Sequence, residues 1–237
     1  MKKTLLTLAA ASALSVSAQA EQFWADNSVS VLHGSDYELA DSGDVTTLTL
    51  EHVSGHSWGG LFYFVDRLKD GSLSETYAEF SPKFTLAKMD GPVSAINAAF
   101  TYEYGTTDNG QNQDNFLVGL GADLKVPGLD YAGATIYVAD NDQKFGGSST
   151  DYQLTLVYGY SSGNLTVDGF MDYSFNNDND SLADSMNLTP QITYNVGPML
   201  GLKNKVKLGV EYTYWTNKFN VDGVDQNSVS LLLKAHL

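Results

Sequence analysis

Residues 206–215 alternate between apolar and polar side chains. One face carries Val206, Leu208, Val210, Tyr212 and Tyr214. The other carries Lys207, Gly209, Glu211, Thr213 and Trp215. A period of two predicts a β-strand with a different environment on each side.

The same alternation recurs along most of the chain. It predicts twelve strands, at about residues 28–38, 45–53, 58–66, 74–87, 93–105, 113–125, 129–140, 150–161, 164–175, 185–196, 203–216 and 226–237. Tyrosines gather near the strand ends, where a transmembrane β-barrel carries its aromatic girdles. Because the faces opposite the apolar rows carry charges, which need water or partners, we expect a polar interior.

The connections between these strands also alternate. Those predicted to be long, acidic and rich in Asn or Gly cover residues 39–44, 67–73, 105–112, 140–149, 176–184 and 217–225. Those predicted to be mostly short cover residues 54–57, 88–92, 126–128, 161–163 and 197–202. Long extracellular loops and short periplasmic turns are typical of outer-membrane barrels. The fold class predicted is therefore all-β, a transmembrane antiparallel up-and-down β-barrel of about 12 strands, with a secreted β-sandwich as the alternative.

Residues 1–20 have the layout of a secretory signal peptide. Lys2 and Lys3 precede an apolar run, and Ala18-Gln19-Ala20 provides a small-residue cleavage site. We expect cleavage after Ala20, which leaves residues 21–237 as a single outer-membrane barrel domain of a Gram-negative bacterium.

Composition excludes several other classes. The formal net charge of −15 argues against nucleic-acid binding, which needs clustered Lys and Arg. The absence of cysteine excludes disulfides and thiolate metal sites.

Four segments, in this order and spacing, resemble a known family. They are Phe23-Trp24, the Glu79-to-Phe84 segment EFSPKF, the Gly119-to-Leu124 segment GLGADL followed by Pro127-Gly128, and Gly209-Val210-Glu211-Tyr212 followed by Trp215, Asn217 and Lys218. The set is similar to the Tsx-like nucleoside-specific outer-membrane channels, and nearest to the Vibrio protein OmpK. The resemblance implies a monomeric twelve-stranded barrel that passes nucleosides and can serve as a phage receptor.

A nucleoside channel needs aromatic surfaces for the base and carboxylates or amides for the sugar hydroxyls. The inward-facing candidates for solute binding are Glu79, Lys83, Glu103, Asp123, Asp168, Phe170, Asp172, Glu211 and Trp215. Lys83 and Lys207 can pair with some of these acids. The alternative is that these side chains only fill a narrow barrel and satisfy one another. Partners expected besides nucleosides are the lipid bilayer, lipopolysaccharide and phage.

Enzymatic and metal sites receive less support from the sequence. Neither a G-x-S-x-G elbow nor an H-E-x-x-H motif is present. Outer-membrane lipases pair a membrane-facing Ser with a His, but we expect His52 and His56 to be solvated in or beside a short turn. The acidic run at residues 176–180 lacks the Gly and Glu spacing of a calcium loop. We predict no catalytic residue, metal or cofactor, and two functions remain: a solute channel, or a non-conducting barrel whose loops are a recognition surface.

Overall fold

The chain forms twelve antiparallel β-strands in a computed structural model that describes residues 21–145 and 147–237. The strands are β1 (Gln22–Ser35), β2 (Val45–His56), β3 (Gly59–Asp70), β4 (Leu73–Lys88), β5 (Val93–Thr107), β6 (Asn112–Leu124), β7 (Tyr131–Gln143), β8 (Gly147–Ser162), β9 (Leu165–Phe175), β10 (Ser185–Asn195), β11 (Val206–Thr216) and β12 (Gln226–His236). Two short 3₁₀ helices, Gly197–Leu200 and Lys218–Asn220, lie in connections. The predicted signal peptide at residues 1–20 lies outside the described residues.

Each strand pairs with its neighbours in sequence, and β1 pairs with β12 to close the barrel. Closure removes the free sheet edges that a membrane does not tolerate. The predicted fold class and all twelve predicted strands are confirmed.

The predicted sorting of connections by length is only partly correct. The connections that follow odd-numbered strands do lie at one end of the barrel, which we call the loop end. Those that follow even-numbered strands lie at the opposite end, which we call the terminal end and which also holds the start of β1 and the end of β12. However, the predicted long connections at residues 67–73 and 140–149 are mostly absorbed into strands, and half of the one at residues 105–112 is too. The terminal end instead carries the longer connection at residues 196–205.

The strands absorb these polar residues because they extend beyond a bilayer. β4 and β8 have 16 residues each, whereas a tilted strand crosses the hydrocarbon core with about 9–11. Beyond the membrane both faces meet water, so a strand can continue there without apolar alternation.

The outward face of the barrel is an apolar belt. Val118, Leu120 and Leu231 are 53%, 57% and 69% exposed, respectively. Aromatic pairs accompany the belt, such as Tyr102 and Phe116 with ring centroids 4.7 Å apart. Large side chains exposed in this way around a closed sheet are buried only by lipid, so the barrel is a transmembrane one.

Within the described part of the chain, no helix has the length and apolar character needed to cross a membrane.

β2 runs three residues further than predicted and ends at His56. His52 and His56 therefore lie in the strand, half-buried on its outer face, and the expectation that they are solvated turn residues is wrong. Each imidazole stacks on an aromatic ring, and the pairing of β2 with β3 continues to His56 opposite Gly59.

Candidate functional site: the lumen and its loop-end mouth

All nine candidate residues lie on inward-facing strand positions, because they share the parity opposite to the exposed apolar rows. Glu79 on β4 stands directly across from Glu103 on β5. Asp168, Phe170 and Asp172 alternate along β9, and Glu211 and Trp215 do so along β11.

Neighbouring donors hold the inward carboxylates in place. The Tyr77 hydroxyl donates to Glu79 at 2.7 Å. Glu103 accepts hydrogen bonds from the amides of Asn115 at 2.8 Å and Gln113 at 3.2 Å. Because each bond fixes an oxygen in one direction, these acids form an ordered wall rather than a mobile fringe.

Asp172 is held in the same manner on the neighbouring part of the wall. The Thr155 hydroxyl donates to it at 2.5 Å, and the Gln153 amide donates at 3.3 Å. The wall from β4 to β9 is therefore built of carboxylates with amide and hydroxyl partners.

The β10–β11 side of the lumen repeats this chemistry with an aromatic ring above it. Gln191 donates to Glu211 at 2.8 Å, and the Trp215 indole N–H donates to the Ser185 hydroxyl at 2.9 Å. Trp215 thus presents its ring from a fixed position near the loop end of β11.

Ion pairs gather toward the terminal end of the lumen. The Lys83 ammonium lies 2.7 Å from the Asp123 carboxylate, so Lys83 pairs with an inward acid as predicted. Two further pairs were not predicted: Lys234 with Glu51 at 3.1 Å, and His236 with Asp26 at 2.8 Å. The strand alternation contained their signal, since all four residues fall on inward positions.

The terminal half of the lumen is open to water. The Lys83 and Asp123 side chains are 47% and 35% exposed, and inward-facing Val157 is 38% exposed. Solute arriving from this end therefore meets accessible lumen wall.

The loop end is different, because connections fold inward across it. Lys144 and Phe145, which follow β7, meet Phe219 from the connection between β11 and β12, with the two phenylalanine centroids 5.5 Å apart. The Gln143 amide donates to Asn220 at 3.1 Å across the same gap. We call the set Lys144, Phe145, Lys218 and Phe219 the crossbar.

An ion pair anchors one side of the crossbar. Lys144 lies 2.7 Å from Glu75 on β4, and the two side chains are only 9% and 21% exposed. The Lys144 ammonium also lies 5.5 Å from the centre of the Phe219 ring. The crossbar thus connects β4 to the connection that precedes β12.

Lys218 anchors the other side. Its ammonium donates to Gln226 at 2.5 Å and to the Glu38 carbonyl at 2.9 Å. It also lies over Trp215, 5.3 Å from the ring centre, and over Tyr37 at 5.9 Å. Burial lowers the pKa of Lys218 from its ordinary 10.5 to about 8.

Tyr37 extends this inward packing toward mid-barrel. It follows β1, and its hydroxyl lies 2.7 Å from that of Ser230 on β12. Burial raises the pKa of Tyr37, so the phenol stays neutral.

The backbone that carries Lys218 is bent to reach inward. Asn217, Phe219 and Asn220 have φ angles of 47°, 56° and 59°. Asparagine tolerates this left-handed region well, whereas phenylalanine rarely adopts it, so packing must hold Phe219 there.

Sequence reasoning missed the crossbar, although a signal existed. Both inward connections contain the dipeptide Lys–Phe, at residues 144–145 and 218–219, within otherwise small and polar sequence. A bulky cation–aromatic pair repeated in two loops is unusual for segments meant only to be solvated.

The described residues offer no site for a resident metal. Among residues 21–145 and 147–237, no group of three or more His, Asp or Glu side chains is placed to hold an ion. The Asp178 carboxylate instead accepts from the Thr150 amide at 2.7 Å, which ties the acidic loop to β8.

Comparison with protein families finds one match. Residues 19–230 match the family described as "Domain of unknown function (DUF5020)". No curated protein matches the chain.

Comparison with solved structures finds outer-membrane barrels. The KdgM porin is 12% identical, with 88% of this chain and 98% of that chain covered and a TM-score of 0.52. The NanC porin is 13% identical, with 89% and 100% covered and a TM-score of 0.54. A KdgM porin in complex with disordered oligogalacturonate is 14% identical, with 88% and 98% covered and a TM-score of 0.51. At these identities the likeness concerns the fold, and the resemblance to Tsx and OmpK stays a prediction.

The architecture also gives the location. A closed antiparallel barrel with an apolar outer belt and a polar interior is the architecture of proteins of the Gram-negative outer membrane, and this protein lies there.

Proposed function

We propose, from the premise that the chain belongs to the DUF5020 family, that it is an outer-membrane channel for nucleosides or similar small polar solutes. The crossbar closes its loop end in the conformation described above. With both strand termini in the periplasm, as in other barrels of this kind, the crossbar lies on the extracellular side.

The observation that carries this proposal is the ordered acid and amide wall around Glu79, Glu103 and Asp172. Its oxygens point into the lumen at fixed positions, and carboxylates accept hydrogen bonds from sugar hydroxyls. When Lys218 and Phe219 move off the Trp215 ring that they now cover, this ring offers a surface near the mouth on which a flat base can stack, a contact that tolerates any base. Weak, multiple contacts of this type favour passage over retention.

The charge of the wall narrows the solute class. One fold neighbour was solved with oligogalacturonate, an acidic oligosaccharide. The lumen of this chain is rich in carboxylates, which repel anions in a narrow channel. Neutral or cationic solutes therefore fit it better than acidic sugars or nucleotides.

The crossbar favours a second candidate. If it never opens, the protein is a non-conducting barrel whose extracellular loops serve as a recognition surface, including for phage. The buried Lys144–Glu75 pair is the strongest support for that alternative.

Conductance in planar bilayers separates the two candidates. We expect the purified protein to conduct, to prefer cations, and to lose current when adenosine or thymidine is added, with glucose and adenosine monophosphate as comparison solutes. If the protein carries no current although its heat-modifiability shows that the barrel is folded, the recognition candidate is established instead. Current that nucleosides leave unchanged would remove the nucleoside assignment and keep the channel.

A further inference from the structure

A row of polar side chains interrupts the apolar outer face of β2 near the terminal end. His52, Ser54 and His56 follow Leu48 and Leu50 at every second position, so they share the lipid-facing side. Asn27 on β1 stands directly across from His52. None of these residues faces the lumen.

Hydrogen bonds link the four side chains in one line. The Asn27 Oδ1 atom lies 2.7 Å from His52 Nδ1. His52 Nε2 lies 2.9 Å from Ser54 Oγ, and Ser54 Oγ lies 2.9 Å from His56 Nε2.

The positions of the protons follow from this line. An amide oxygen only accepts, so His52 Nδ1 carries the proton and donates to Asn27. His52 Nε2 then has only a lone pair, so the Ser54 hydroxyl donates to it. Because Ser54 has spent its one proton, His56 Nε2 must donate to Ser54 Oγ.

This arrangement has the roles of a nucleophile–base–orienter triad. A serine hydroxyl donates to an imidazole whose other nitrogen is fixed by an amide oxygen, and such triads are recognised by geometry rather than by fold. The Ser–His bond is within the 2.6–3.2 Å reach that proton transfer needs.

The surroundings place the triad at the level of lipid ester groups. His52 stacks on Tyr63 with centroids 4.7 Å apart, and His56 stacks on Trp58 at 4.9 Å. Outward Tyr and Trp rings mark the boundary between acyl chains and headgroups. A glycerophospholipid carries its acyl esters at that boundary.

We propose that Asn27, His52 and Ser54 form a second, catalytic site on the outer face of the barrel, which hydrolyses acyl esters of phospholipids in the adjoining leaflet. Ser54 Oγ bonds to the ester carbonyl carbon while its proton passes to His52 Nε2. The carbon–oxygen bond to glycerol then breaks, and the leaving alkoxide takes that proton from His52.

Water completes the reaction. A water molecule from the terminal rim gives a proton to His52 and attacks the acyl-serine carbonyl. The Ser54 Oγ–carbon bond breaks, and Oγ recovers the proton from His52. The sum is ester plus water giving fatty acid plus alcohol.

His56 governs access to the serine and supports the charged intermediate. Ser54 is only 2% exposed, so the carbonyl reaches Oγ after His56, the last residue of β2, moves aside. Its Nε2–H then exchanges the bond to Oγ for one to the carbonyl oxygen, where negative charge develops.

Labelling with an alkyl fluorophosphonate tests the nucleophile in the full chain folded in phospholipid vesicles. We expect label on Ser54 by mass spectrometry, and a labelling rate about 100-fold lower in His52→Ala, in line with the loss of a general base. His33 and Thr46 provide a matched control, since they form a 2.9 Å imidazole–hydroxyl pair on the same two strands. The Thr46→Ser variant should gain no label at position 46. Absence of label on Ser54, or label that does not depend on His52, would overturn the proposal.

Fatty-acid release from phosphatidylethanolamine vesicles tests the substrate. We expect release by the wild type and none by Ser54→Ala, while both retain the same heat-modifiability and the same conductance. If the two proteins conduct equally, a negative result in the release assay contradicts only the catalytic site and does not bear on the channel proposal. If the wild type releases no more fatty acid than Ser54→Ala, the proposal is contradicted. This includes the case in which the site binds the phosphate headgroup without hydrolysing the ester.

Asn27 is a positioning residue, and its variants separate orientation from folding. Asn27→Ala should lower the labelling rate, whereas Asn27→Asp should restore it, because a carboxylate accepts from His52 Nδ1 equally well. The Asp variant should also shift the pH profile of labelling upward, since a negative charge stabilises protonated His52. Equal rates in all three proteins would refute the role.

Discussion

At the scale of single residues, the inward carboxylates set the electrostatic character of the lumen. Glu211 on β11 keeps its hydrogen bond to Gln191 if it is replaced by glutamine, so Glu211→Gln removes charge with little change in shape. The interaction energy between a unit charge and an ion 4 Å away is about 1 kcal/mol in water, which changes the occupancy of that position by the ion roughly fivefold. We expect reversal potentials in a salt gradient to show higher anion permeability in this variant. Asp222→Asn, which removes an exposed acid from the connection after β11, is the control and should behave as wild type.

Lys218 should make the channel sensitive to pH. Inside the closed crossbar its pKa is about 8, because burial disfavours the charged form, and on opening it returns toward 10.5. Between these values the open state binds more protons, so the closed state gains stability as pH rises through that window. Below about pH 8 the lysine is protonated in both states and the cost of burying its charge is fully present.

Single-channel open probability measures this dependence. The ratio of open to closed probability should be flat below pH 8, fall by roughly tenfold per pH unit between about pH 8 and 10.5, and level off above that, as expected for one proton. Lys218→Met should abolish the fall, while Lys203→Met, at an exposed position of the terminal end, should keep it. A fall that persists in Lys218→Met would assign the titration to another group.

The lumen wall could be predicted from sequence, whereas the mouth could not. Strand alternation is a local property, so Glu79, Glu103 and Glu211 could be assigned to the inner face without a structure. The contact of Tyr37 with Ser230 spans 193 residues. The repeated Lys–Phe dipeptide marks the two inward segments, but the place where they meet depends on the closed barrel, which no local pattern encodes.

At the scale of strands, neighbouring residues of β8 face opposite solvents. Leu156 belongs to the outward apolar row, and Val157 faces the open part of the lumen. Leu156→Arg should lower the free energy of unfolding by about 2–4 kcal/mol in lipid, the cost of a cation near the midplane. Val157→Arg should leave it nearly unchanged and reduce cation conductance. Urea titrations in vesicles measure the first effect, and equal destabilisation would mean that the two faces are wrongly assigned.

Leu120 on β6 and its neighbour Gly119 do not provide an equivalent test. Leu120 and Gly119 are also adjacent, but a Cβ at Gly119 would lie 2.0 Å from the carbonyl oxygen of Ile136. Any substitution at Gly119 would disturb the ladder itself, so its effect on conductance could not be separated from its effect on folding.

The crossbar should act as a unit because its anchor is a buried pair. Glu75→Gln or Lys144→Met alone leaves one buried charge without its partner, which typically costs about 3–5 kcal/mol. Each single variant should therefore conduct more than wild type. The double variant, which buries neither charge, should return toward the closed level. Conductances that simply add would show that the pair does not hold the mouth closed.

At the scale of the whole molecule, the orientation of the barrel decides which side the crossbar guards. The chain has no cysteine, so single substitutions label cleanly. Asn109→Cys and Ser148→Cys at the loop end should react with an impermeant maleimide on intact cells, whereas Ser57→Cys and Lys203→Cys at the terminal end should not. The reverse pattern would place the crossbar in the periplasm.

Terminal-end position 55 is unsuitable for such labelling. Gly55 lies under the Trp24 ring, and a Cβ there would stand 2.4 Å from the indole nitrogen. Ser57 in the adjacent turn avoids that clash.

The junction between the first and last strands bears on how the protein is assembled. β1 matches eight residues of β12, but twelve of β2, so the ladder that closes the cylinder is shorter than the one beside it. Phe23 and Trp24 lie beyond its end, 58% and 54% exposed. Bringing the two ends of the chain together costs conformational entropy, and only the few hydrogen bonds between β1 and β12 offset that cost. This short ladder therefore adds little stability until all the other strands are paired. The nascent sheet should therefore remain an open, curved ribbon until its final stage, with this junction as the place where insertion machinery can hold it.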